Sequence, residues 1–246
     1  MRTAQRVHAM EQAVWEMQVT GRERKISVQD FVTVTGMVIK SIPISDYDRR
    51  ITILTKERGK IGVFAKGARR MNNRFMASTN PFSFGIFKLY EGKSSYNLAD
   101  VQIQNYFENL REDFEGAYLG MYFLEIVDYY TRENNDEVEV LKLLYQSLRA
   151  ISHASLKKEL VQAIFEIKIL AVNGEFPGIL HSKTLKPDTI YAVDYVVKST
   201  IEKLFTFTLS DEILGEFTQL AKEYRKKYIG NQFNSLEIVE NCRLKN

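Results

Sequence analysis

From Phe31 to about Phe107, apolar and polar positions alternate in short runs divided by turn residues, the period of half-buried β-strands. "VTVTGMVI" alternates and carries Gly36, which reads as a bulge. "ITILT" and "IGVFA" flank "KERGK", where Gly59 would turn a hairpin. "PFSFGIFKLY" and "YNLADVQI" flank "EGKSS", a second hairpin. Within the first of these the apolar phase shifts after Gly85, as a strand requires where it bends from one side of a barrel to another. Five strands with a long loop between the third and fourth suit a small OB-type barrel. An SH3-like barrel or an open sheet would also accommodate them.

After "ENLRED" the period becomes helical. Phe114, Ala117, Tyr118, Met121 and Leu124 form a stripe that Tyr122, Phe123, Ile126 and Val127 widen. Val138 to Ile151 predicts a second helix and Leu156 to Ala171 a third, ended by "NGEFPG"; the short connections favour an antiparallel bundle. Between 179 and 209 the pattern is ambiguous: "IYAVDYVV" and "LFTFTL" look extended, and "STIEKL" resembles a helical turn. Ser210 then reads as the cap of a last long helix, with Asp211 and Glu212 at its positive end and "RKK" at its negative end. The expected class is α+β: an N-terminal extension (1–30), a small barrel (31–107) and a mainly helical region (108–246). In the extension, Val7, Met10, Val14 and Met17 recur at helical spacing before "GRERK" interrupts them. It reads as a poorly ordered appendage or a start assigned too early, rather than a docking helix.

Composition narrows the chemistry. The 246 residues are 45% hydrophobic, enough for a sizeable core. No apolar run approaches a membrane span and no h-region opens the chain, so neither membrane insertion nor secretion is expected. A single cysteine, Cys242, excludes an internal disulfide and a multi-cysteine zinc site, and a reducing cytoplasm is the simplest location. "EGKS" lacks the phosphate-loop glycine five residues before Gly92, where Phe87 stands. His8, His153 and His181 have no metal-ligand spacing, "DYYTRENNDEVE" lacks the glycine of a calcium loop, and no Gly-x-Ser-x-Gly occurs. The expectation is a protein without catalytic residues, metal or cofactor.

Charge supplies the positive signal. Residues 31–80 hold ten basic side chains against three acidic ones, whereas residues 111–139 hold two against nine. "FAKGARRMNNRF" (64–75) gathers four cations and two aromatics with no carboxylate. Cations release counterions from phosphates, and aromatic faces stack on unpaired bases. The candidate nucleic-acid contacts are Lys40, Arg49, Arg50, Lys56, Arg58, Lys60, Lys66, Arg69, Arg70, Arg74 and Phe75, with Tyr47 divided between packing and stacking. Core packing is the expectation for Phe64, Phe82, Phe84 and Phe87. An RNA-binding barrel, or an adaptor that binds an acidic protein surface, would use the same residue types.

"TGMVIKSIPISDYDRRITILTKERGKIGVFAKGARR", "NPFSFGIFKLYEG" and "YFENLREDFEGAYLGMYFLEIVDYY", in that order, resemble the RecO family of bacterial recombination mediators, from about residue 33 to 178. The resemblance implies an OB-fold joined to a helical domain, and binding of single- and double-stranded DNA. It implies annealing of complementary strands and partnership with RecR. It further implies contact with the acidic C-terminal tail of single-stranded-DNA-binding protein, which helps RecA replace that protein, in a nucleoid-associated cytoplasmic setting. Lys157, Lys158, Arg225, Lys226 and Lys227 are the candidates to receive the tail. One departure stands out: many relatives carry four zinc-binding cysteines after the segment matching "LAVNGEFPG", and this chain has none there. Ordinary packing of Ile190, Tyr191, Val193, Tyr195, Phe205 and Phe207 would have to replace that lobe.

Overall fold

The computed structural model describes residues 31–92, 95–179, 185–230 and 232–244; the extension reading of residues 1–30 lies outside them. Five strands, β1 (Phe31–Pro43), β2 (Arg49–Thr55), β3 (Gly59–Ala65), β4 (Phe84–Glu91) and β5 (Tyr96–Asn105), close on themselves in the order β1-β2-β3-β5-β4. Only β3 and β5 run parallel, which is the OB arrangement. Alternation dictates the interior: Val34, Val38, Ile51, Ile53, Ile61, Val63, Phe87 and Leu89 fill it. The phase shift read at Gly85 is a register shift between β4 and β5, and a Cβ there would meet the Gln102 carbonyl at 2.2 Å. Gly36, in contrast, is not the bulge of β1. Pairing with β2 jumps between Val38 and Lys40, and Gly36 is needed for close approach, since a Cβ would lie 2.3 Å from the Leu54 carbonyl.

A short helix, α1 (Phe75–Ser78), interrupts the long β3–β4 loop. After α2 (Glu108–Glu112) come α3 (Phe114–Tyr130), α4 (Val138–Ile151), α5 (Lys158–Val172), α6 (Pro187–Lys198), α7 (Asp211–Tyr224) and α8 (Asn234–Arg243). Helix α5 is central: every residue from Leu160 to Leu170 is buried. On α3 the widening set, Tyr122, Phe123, Ile126 and Val127, is buried together with Leu119 and with Leu124 of the first stripe, while Phe114 is exposed.

Three expectations for the second half change. "IYAVDYVV" lies in α6, because Pro187 opens the helix and Thr189, Ala192, Val193 and Val196 bury one stripe at helical spacing. Of the side chains proposed to replace the zinc lobe, Val193 is buried, and Phe205 and Phe207 pack against the helical core. Tyr195 sets its ring edge-on to Phe207, but Ile190 and Tyr191 point outward. Ser210 occupies the cap position of α7 without a capping side-chain bond, and α8 follows, so α7 is not the last helix.

Barrel and helices share a seam. Met37, Ile39, Leu54 and Phe82 belong to the helical core rather than the barrel interior. The β2–β3 turn docks on the segment after α3: Lys60 N–H donates to the Arg132 carbonyl (2.9 Å), and Asn134 N–H to the Arg58 carbonyl (3.0 Å). Gly59 has φ +62°, and a Cβ there would lie 2.4 Å from the Arg132 carbonyl, so only glycine fits this turn.

Candidate nucleic-acid interface

The outer face of β1–β2–β3 presents two cross-strand rows, Ile42–Arg50–Phe64 and Lys40–Thr52–Gly62. Beside it, at the open end of the β2–β3 hairpin, the β1–β2 loop and the loop after β3 are tied together. Asp48 Oδ1 accepts the Gly67 N–H (2.7 Å), and Arg69 N–H donates to the Tyr47 carbonyl (2.9 Å). Arg69 Nη1 donates to the Ser45 carbonyl (2.7 Å). Gly67 holds φ +69°, which lets the chain reverse there. Beneath the loop, Arg49 Nη1 donates to the Met76 carbonyl, Thr79 Oγ1 and Asn80 Oδ1 (3.1, 2.9 and 2.8 Å).

These ties give a patch of five cations, Arg49, Arg50, Lys66, Arg69 and Arg70, none in an ion pair among the described residues. Two carry aromatic partners: Arg70 lies 4.9 Å over the Tyr47 ring and Arg50 5.6 Å over Phe64. Tyr47 is 54% exposed, so one face of an aromatic–guanidinium stack stands in solvent. Burial, and then the like charge of Arg69, pulls the proton affinity of Arg49 down. The cluster therefore lacks the carboxylates that would neutralise it from within. Asp46 and Asp48 are close in sequence but make no ion pair among the described residues; Asp48 spends an oxygen on the Gly67 amide.

The other predicted contacts lie elsewhere. Arg58 pairs with Glu91 (3.3 Å) and also reaches Tyr96 Oη. Lys40 and Lys60 both face Asp128 of α3, at 3.6 and 3.0 Å. Arg74 pairs with Asp100 (3.1 Å) and donates to the Ala99 carbonyl on β5. Phe75 is 8% exposed and packs in the barrel core, so it cannot serve as a stacking platform; α1 turns it inward. Lys56 is exposed at the opposite end of the hairpin, about 20 Å from the patch at strand rise.

The helical cations are mostly matched. Lys157 pairs with Asp211, and Lys158 with Asp113 (2.7 Å) and Glu115 (3.5 Å). Burial alone would lower the proton affinity of Lys158, but its hydrogen bond to Asp113 and the charge of that carboxylate raise it overall. Arg225 is not a surface cation. The π-turn Arg225–Ile229 directs it inward, between Glu166 (3.2 Å) and Glu240 (3.0 Å). Burial there opposes its charge, yet Glu166 more than compensates and raises its proton affinity. Tyr122 Oη also donates to Glu166 (2.7 Å), and burial followed by that carboxylate pushes the phenol well up. Lys226 and Lys227 remain exposed, Lys227 at 5.1 Å from the Tyr228 ring. Sequence reasoning missed Asp128 and Arg243. The latter donates to Glu115 (2.7 Å) and Gln162 (2.8 Å).

Residues 30–107, spanning all five strands and the cationic loop, match the family described as Recombination protein O N terminal. Residues 111–179, spanning α3 to α5, match Recombination protein O C terminal. The chain belongs to the RecO family. It is 26% identical over 243 residues to the DNA repair protein RecO of Acetivibrio thermocellus, covering 86% of this chain and 97% of that one. The RecO of Clostridium perfringens is 22% identical over 235 residues, covering 83% and 96%. That of Symbiobacterium thermophilum is 34% identical over 146 residues, 59% of this chain and 58% of its own. A RecO chain is thus a DNA-repair protein, and here its N-terminal OB-fold carries the cation cluster. Among the described residues, no group of three or more His, Cys, Asp or Glu could hold a metal ion, and no helix is long and apolar enough to cross a membrane.

Proposed function

We propose that this chain is a non-enzymatic mediator that binds single- and double-stranded DNA through the loop end of its barrel and anneals complementary strands. It acts in the nucleoid region of the cytoplasm. The observation that carries this reading is the set of five cations without ion pairs, two of them stacked on Phe64 and Tyr47. Annealing needs no catalytic residue. A cationic surface that neutralises two phosphate backbones lowers their mutual repulsion, and interactions that exchange quickly let the strands search for register. Tyr47 and Phe64 offer sequence-tolerant faces to unpaired bases. With RecR as partner, the same protein helps RecA replace single-stranded-DNA-binding protein by gripping that protein's acidic tail. Because Lys157 and Lys158 are already ion-paired and Arg225 is buried, Lys226 and Lys227 are the better candidates to meet the tail. Replacing Lys66, Arg69 and Arg70 by alanine should weaken binding to all DNA sequences alike. It should also flatten the slope of log affinity against log salt by about 0.7 for each phosphate that the variant no longer neutralises on single strands. A folded triple variant that binds labelled single-stranded DNA as the parent does would refute the assignment.

A further inference from the structure

Where β1–β3 meet α3 there is a depression of about 310 Å3, lined by Lys40, Arg50, Thr52, Lys60, Gly62 and Asp128. Its charges do not balance, since three cations share a single carboxylate. Lys60 is engaged twice: its ammonium donates to both the main-chain carbonyl and Oδ1 of Asp128. Lys40 is held far more loosely. Its Nζ lies 3.6 Å from Asp128 Oδ2, beyond normal hydrogen-bond length, and its side chain is 52% exposed. Arg50 is exposed; its guanidinium lies over the Phe64 ring and beside Gly62, and it is in no ion pair among the described residues. Three ammonium donors on Lys40 and five guanidinium donors on Arg50 are therefore free to turn toward an oxyanion. Gly62 contributes to the opening because no side chain projects from it. A Cβ there would make only ordinary contact with Arg50, at 3.5 Å, so neither backbone strain nor crowding demands glycine.

We infer that this depression is a second phosphate subsite for the backbone of a nucleic-acid strand, and that Asp128 is a built-in competitor that holds Lys40 until a phosphodiester displaces it. The inference rests on the nucleic-acid reading of the barrel and adds a place and a mechanism to it. Arg50 connects the two sites: it belongs to the loop patch and also lines the depression. Lys40 pairs with Thr52, two residues along β2 from Arg50, or about 7 Å at strand rise. A strand leaving the Tyr47–Arg70 stack across Phe64 and Arg50 runs on to Lys40.

The competitor has a measurable signature. When a phosphate takes Lys40 it releases a counterion from the DNA, while Asp128 keeps Lys60 as its partner and still draws down the field of both cations. Removing the carboxylate charge releases that field and frees Lys60 as well as Lys40 to meet phosphate. Asp128→Asn should bind labelled oligothymidylate about three- to tenfold more tightly at low salt, the worth of one unit charge a few ångströms away in a mostly aqueous dielectric. Its salt slope should steepen by up to about 0.7. Adding Lys40→Ala should remove most of that gain. Gly62→Leu, which plants a side chain in the depression beside Arg50, should weaken binding while leaving Lys66, Arg69 and Arg70 untouched. Unchanged or weaker binding by folded Asp128→Asn overturns the inference. Should that variant not fold, unchanged binding by both Lys40→Ala and Gly62→Leu overturns it instead. The loop assignment is judged separately by the Lys66, Arg69 and Arg70 triple, so loss of binding in the triple with none of these effects sinks the subsite alone.

Discussion

The barrel's loop end and the helical core use the same cationic side chains to opposite ends. Around α5, Lys158, Arg225 and Arg243 each find a carboxylate within 3.2 Å, and the Arg225–Glu166 pair is sealed from solvent. At the loop end, Arg49 and Arg69 spend donors on carbonyls and amides, which fix a loop without cancelling its charge. Cations neutralised internally hold elements together. Cations satisfied only by neutral oxygens keep their field and leave it directed at solvent. On the proposed reading, the contrast separates the residues that build this protein from those that meet its ligand.

Substitutions can break that contrast from either side. The largest effect is expected for Arg225→Ala, which leaves Glu166 buried without its cation and should cost about 3–5 kcal/mol in denaturant unfolding. DNA affinity of the folded fraction should not change. Phe75→Ala should cost a similar ~3–5 kcal/mol by emptying part of the barrel core. A pure loss of base stacking with stability intact would restore Phe75 to the interface. Tyr47→Ala inverts the pattern: stability should hold, while single-stranded DNA binding falls by about 1–3 kcal/mol in a fluorescence titration.

The smallest effect concerns Asp113, whose side chain accepts the Gly116 N–H at the start of α3 and pairs with Lys158. Burial alone would raise its pKa, but Lys158 and the backbone donors hold it below the ordinary carboxylate value. A folded pKa below the unfolded one stabilises the fold at pH values above the unfolded pKa. That contribution is lost as pH falls through the depressed folded value. Asp113→Ala should therefore cost about 1 kcal/mol at neutral pH, in line with loss of a helix cap, and progressively less on acidification. A cost independent of pH in melting experiments would show that only the cap geometry matters.

Much of this was legible in the chain. Strand alternation and the phase change at Gly85 carry the barrel, because a period of two residues directly records which face is buried. The cation run at 66–70 was visible as a local excess of charge. Pairing was not legible, because the partners are remote: Asp128 lies 68 residues from Lys60, and Glu166 59 from Arg225. Arg225, Lys226 and Lys227 look alike as letters; a single π-turn sends the first inward and leaves the others out. The α6 segment misleads through its β-branched and aromatic content, which burial at helical spacing overrides.

The docked turn at Gly59 has a mechanical consequence. Swinging the barrel away from the helices would rupture two main-chain hydrogen bonds and wet Met37, Ile39, Leu54 and Phe82. Strands and helices accordingly form one compact unit. So long as those contacts hold, anything seated on the loop end and anything seated on the helices keeps one separation, like two workpieces in a jig. While that seam is intact, a rearrangement at the loop end would fall to the bound cargo and not to a hinge in the holder.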